Sequence, residues 1–76
     1  MIRVGVIGYG YWGPNLVRNF ADCSSTKVAA VCDVRPDRLA AAERRYPGIL
    51  TTSDPSVLVK DSSVDAVVIA TPVEYH

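Results

Sequence analysis

The chain has 76 residues, 49% of them apolar, and its eight basic and eight acidic side chains cancel to a formal charge of zero. A chain this short makes one small domain at most and buries only about 60% of the surface its unfolded form exposes. Its charge balance excludes an electrostatic footprint for nucleic acid or an anionic membrane, and its apolar content excludes a disordered tail.

No apolar run approaches the length of a membrane-spanning helix, and Met1-Ile2-Arg3-Val4 enters a strand pattern at once, which leaves no room for a secretory leader. Cys23 and Cys32 stand too far apart for a CxxC redox pair, and two cysteines make a poor disulfide framework or metal site. Both are expected to be reduced thiols, with Cys32 buried in a strand. The expectation is a soluble cytoplasmic protein with no metal, no nucleic-acid partner and no membrane partner.

Ile2 to Ile7 is mostly β-branched and suits a strand covered on both faces. Gly8, Gly10 and Gly13 follow, and Pro14 fits the first position of a helix, where its missing N–H costs nothing. Leu16, Val17, Phe20 and Ala21 fall on one face of that helix, and Arg18 and Asn19 on the other. Ser24-Ser25 ends it. Lys27 to Cys32 is a second strand, Pro36 opens a second helix, and Pro47-Gly48 stops that helix. Ile49 to Thr52 predicts a short third strand. A brief helix from Pro55, capped by Ser53 or Asp54, leads to the most apolar strand, Asp65 to Ala70.

Strands alternating with helices predict an α/β fold: a partial doubly wound (Rossmann) parallel sheet with right-handed crossovers and strand order 3-2-1-4. A strand as apolar as Asp65–Ala70 expects neighbours on both sides and cover on both faces. None of the remaining residues supplies them. Residues 1–76 therefore read as the front portion of a larger protein, with its exposed 65–70 edge open to pairing with a second copy.

GxGxxG alone is a weak signal, since a glycine-rich hairpin could look the same. Here it lies between a strand and a helix, where a diphosphate can approach the backbone. Gly8 would allow the tight turn, Gly10 the approach to the diphosphate and Gly13 the contact of helix with strand. N–H groups among Tyr11, Trp12 and Gly13 would face the anion. Asp33 stands about twenty residues on, at the end of the second strand, where an acid accepts from the adenosine ribose. Its charge favours NAD over NADP. Arg35 and Arg38 leave NADP open, because a guanidinium can bind phosphate or stack on adenine, although both also fit a solvated helix face.

With Gly-Tyr-Gly-Tyr-Trp-Gly at 8–13, Val-Cys-Asp at 31–33 and Thr-Pro…His at 71–76, the sequence resembles the N-terminal domain of the Gfo/Idh/MocA (glucose–fructose oxidoreductase / inositol dehydrogenase) family over its whole length. The resemblance implies an NAD(P)-dependent oxidoreductase acting on a carbinol of a sugar, cyclitol or sugar nucleotide. It implies that Gly8, Gly10, Tyr11, Trp12 and Gly13 hold the diphosphate and Asp33 the ribose, with Arg38 beside it. Ala70, Thr71 and Pro72 would line the nicotinamide half, with His76 next to the cleft. Val73 stands where many relatives carry asparagine.

The family's catalytic lysine belongs to a Glu-Lys-Pro motif, and neither Lys27 nor Lys60 has that context. No residue of the chain is therefore given a catalytic role, and the substrate domain is expected to lie outside it. Two other readings are a stand-alone NAD-sensing module and a self-associating fragment without chemistry.

Overall fold

The computed structural model of the protein describes residues 1–10 and 13–70. Its elements run β1 (Ile2–Ile7), α1 (Gly13–Asp22), β2 (Thr26–Cys32), α2 (Pro36–Arg45), β3 (Leu50–Thr52), α3 (Pro55–Lys60) and β4 (Ala66–Ile69). The strands form one parallel sheet in the order β3-β2-β1-β4, as the alternation predicts.

Side-chain alternation along the central strands gives the sheet two buried faces. Val4, Val6 and Val31 join Val17, Tyr9, Ala42 and Ala70 in the main core, with Leu16, Phe20 and Leu39 packed against it from α1 and α2. The opposite set, Ala30 and Cys32, meets Leu58 of α3, with Ile7 and Val64 beside them. Leu58 is fully buried, and covering a side chain of that size contributes roughly 1.5–3 kcal/mol. Cys32 is buried as expected, Cys23 is exposed, and both are free thiols.

Local chemistry explains most element ends. The Thr26 hydroxyl donates to the Phe20 carbonyl at 2.6 Å, so β2 starts one residue before Lys27. After α2, the Tyr46 N–H returns to the Ala42 carbonyl at 2.8 Å, and Gly48 takes φ +89°. Of the two cap candidates for α3, Asp54 acts: its carboxylate accepts from the Ser56 N–H at 3.0 Å. β3 begins at Leu50 and β4 spans Ala66–Ile69, each shorter than the apolar run that contains it.

One expectation needs correction. Ala21 is exposed, so the buried face of α1 is carried by Leu16, Val17 and Phe20. As expected from a strand whose cover the remaining residues do not supply, β4 is open on one face: Val68 packs into the main core, whereas Val67 and Ile69 are 37% and 69% exposed. Both pair with the β1 residues (Gly5 and Ile7) that face α3, and α3 packs over β2 and β3 instead. No helix among the described residues is long and apolar enough to cross a membrane.

Candidate dinucleotide site

The carboxyl ends of β1, β2 and β4 lie side by side, and short backbone bonds fix the segments that leave them. Gly8 N–H donates to the Cys32 carbonyl at 2.7 Å, and Ala70 N–H to the Ile7 carbonyl at 2.7 Å. Asp33 N–H donates to the Thr52 carbonyl at 3.1 Å. Strand order reverses between β1 and β4, so the crevice beside Gly8 and Ala70 is the switch point at which open α/β sheets bind ligands.

Gly8 takes φ +100°, a conformation that side chains with a Cβ rarely adopt, and this turns the chain sharply off β1. Gly13 is needed for a different reason: a Cβ there would run into the Gly8 carbonyl, whose carbon lies 2.9 Å from that position. The start of α1 is thus packed directly against the end of β1.

Asp33 is buried, with its side chain 4% exposed. Its Oδ2 accepts from the Tyr9 N–H at 2.8 Å, and its Oδ1 accepts from the Arg35 N–H at 2.9 Å. The carboxylate therefore fastens the glycine turn to the end of β2, in addition to any ligand it meets. The Arg35 bond is an Asx turn, which the residue type and the two-residue spacing make foreseeable. The Tyr9 bond joins residues far apart in sequence, and no local signal announces it.

The structure separates the two arginines. The Arg35 guanidinium turns to Asp37 at 3.2 Å, and this hydrogen bond holds the Asp37 carboxyl below its usual range. The Arg38 guanidinium instead lies across Gly10, its Nε 2.9 Å from where a Cβ would stand, with Nη1 3.7 Å from Asp33 Oδ2. Tyr9 is buried in the main core, and burial pushes its phenol up. Ala70 is buried at the end of β4. Tyr11, Trp12, Thr71, Pro72 and His76 lie outside the described residues.

Two open cavities of about 450 and 460 Å³ sit at the other end of the sheet, around Lys27, Val28 and Tyr46, and neither is lined by the glycine turn or Asp33. Among the described residues the site is built from the backbone of the glycine turn, the buried Asp33 and the Arg38 guanidinium. Among the described residues no cluster of His, Cys, Asp or Glu could hold a metal ion. A sharp turn with glycine at 8, 10 and 13 beside a buried acceptor fits the diphosphate and adenosine ribose of a dinucleotide.

The model of an oxidoreductase family with an NAD-binding Rossmann fold, Gfo/Idh/MocA, matches residues 2–76. The chain belongs to this family. Inositol 2-dehydrogenase 2 of Paenarthrobacter aurescens is 42% identical over 76 residues, covering 99% of this chain and 22% of that protein. A glycosyl hydrolase family 109 protein of Solibacter usitatus is 34% identical over 99% of this chain and 20% of its own length. Scyllo-inositol dehydrogenase from Lactobacillus casei, solved with NAD(H) and scyllo-inositol, superposes with a TM-score of 0.86 at 28% identity, over 99% of this chain and 22% of that one. The WlbA dehydrogenase from Bordetella pertussis, solved with NADH and UDP-GlcNAcA, gives a TM-score of 0.80 at 33% identity, over 93% and 22%. The chain spans about a fifth of the length of these Gfo/Idh/MocA relatives. The Rossmann fold and the NAD cofactor class expected from the sequence are those of the family.

Proposed function

We propose that residues 1–76 are the N-terminal portion of the dinucleotide-binding domain of a Gfo/Idh/MocA oxidoreductase. The observation that carries this reading is the buried Asp33 carboxylate, bound to the Tyr9 N–H at the mouth of the glycine turn. Gly8, Gly10 and Gly13, with Tyr11 and Trp12, hold the diphosphate, and Asp33 accepts from the adenosine ribose. Ala70, Thr71, Pro72 and His76 border the nicotinamide half. When bound, the nicotinamide accepts or gives hydride at a carbinol carbon; this chain's own residues bind and orient the cofactor. The substrate is a sugar, cyclitol or sugar nucleotide, in keeping with the inositol dehydrogenases and the UDP-sugar complex among the relatives. The residues that recognise it, and the acid/base lysine, belong to sequence beyond these 76 residues.

The test is binding without turnover. NAD⁺ titrated into the 76-residue chain should shift the emission of Trp12, the sole tryptophan. Incubation with NAD⁺ and myo-inositol should yield no NADH. Sustained NADH production would contradict the assignment of catalysis to other residues.

One observation favours self-association as a second reading. β4 is an edge strand with Ile69 69% exposed, which offers a parallel edge to a second copy of the chain. Sedimentation velocity should then show a dimer that Ile69→Lys dissociates. A wild-type chain that stays monomeric across concentrations would remove this reading.

A further inference from the structure

We infer that Tyr9 is a positioning residue of the dinucleotide site: its buried ring anchors the glycine turn and fixes the backbone that the diphosphate meets. This rests on the dinucleotide reading above and deepens it.

A turn that receives an anion through its backbone binds tightly only if that backbone is already in place. Having to order even one residue at the moment of binding lowers affinity by about tenfold. The glycines that let this chain turn also leave it free to move, so something else must hold it. Tyr9 stands between Gly8 and Gly10 and is held from two sides.

Its main chain is fixed towards β2. Gly8 N–H donates to the Cys32 carbonyl at 2.7 Å, and Tyr9 N–H donates to the buried Asp33 carboxylate at 2.8 Å. Its side chain is fixed towards the helices. The residue is 8% exposed and shares the main core with Val4 and Val6 of β1, Val31 of β2, Val17 of α1 and Ala42 of α2. Its Cβ also lies 3.6 Å from where a Gly13 Cβ would stand, so Tyr9 abuts the far end of the turn as well. The hydroxyl is not left buried without a partner, and burial of the ring supplies the anchorage. Gly10, the next residue, is exposed. The turn thus passes from fixed to open within one residue, and the acceptor for the ribose is tied to the same point.

The test is calorimetric titration of NAD⁺ and of ADP-ribose into the 76-residue chain and three variants. Tyr9→Leu keeps an apolar side chain without the ring, and Tyr9→Phe keeps the ring. Val4→Ala opens the same core away from the turn. Tyr9→Leu should weaken both ligands by about tenfold, since they share the diphosphate, and Tyr9→Phe by no more than about threefold. Val4→Ala should lower the urea midpoint and keep the wild-type affinity. Affinity that simply follows the urea midpoint across the variants overturns the inference while leaving the dinucleotide reading standing. So does a loss confined to NAD⁺, or one as large in Tyr9→Phe as in Tyr9→Leu. A wild type that binds neither ligand overturns both. Should Tyr9→Leu fail to fold, amide exchange in the wild type decides. The Tyr9 N–H should exchange as slowly as the amides of β1, and exchange as fast as an open loop overturns the inference.

Discussion

Gly13 shows how narrow the tolerance is at the turn. Its missing Cβ lets the first residue of α1 press on the Gly8 carbonyl, and that neighbour is backbone, which cannot step aside as a side chain would. Gly13→Ala should therefore cost about 1–3 kcal/mol, seen as a lower urea midpoint with an unchanged slope. A neutral substitution would mean that α1 and β1 are not packed as closely as described. Gly10 contrasts with it: the atoms a Cβ would meet there belong to the end of the Arg38 side chain, which can swing aside. Of the two glycines, Gly13 is demanded by the fold, and Gly10 is left to the proposed approach of a diphosphate. Asp33 has both demands on it, since removing its carboxylate would strand the Tyr9 N–H as well as a ligand.

Among the elements, β1 and β4 are joined at their amino ends by Arg3 and Asp65. The Arg3 backbone N–H donates to Asp65 Oδ2 at 2.8 Å, and its guanidinium reaches both oxygens, at 3.0 and 3.1 Å. The side-chain bond from Arg3, then the backbone bond, lowers the Asp65 carboxyl from 3.8 to about 2. A carboxyl lowered in the folded state stabilises above its unfolded value and loses that contribution as pH falls through the folded one. Stability from this pair should thus be complete above pH 3.8 and drain away towards about 2. Asp37, Asp54 and Asp61 are also lowered, by bonds from Arg35, Ser56 and Ser63, and act with the same sign. Acid titration followed by circular dichroism should show a shallower fall for Asp65→Asn than for wild type in that window. Identical slopes would mean the pair does not tie the strands together. Both side chains are about half exposed, so the effect is modest and shrinks in salt.

At the scale of the whole molecule, strand order and helix alternation were legible because each apolar run is bounded by proline, glycine or paired serines. Gly8 and Asp33 were legible as neighbours because each follows the end of one of two paired strands, β1 and β2. That β4 lacks cover was legible too; which of its faces stays open was not, because that depends on where α3 lands, and Leu58 draws it over β2. Nor could sequence choose between Arg35 and Arg38. The start of α2 decides it, sending one guanidinium to Asp37 and the other across Gly10. The carboxyl ends of β1 and β2 meet at Asp33, the seat proposed for a dinucleotide. The most direct measurement is calorimetric titration of NAD⁺ into the wild-type chain and its Asp33→Asn variant, which keeps the shape and removes the charge. The account predicts one site in the wild type and affinity at least about tenfold weaker in the variant. Equal affinity in the two, or no heat from the folded wild type, would contradict it.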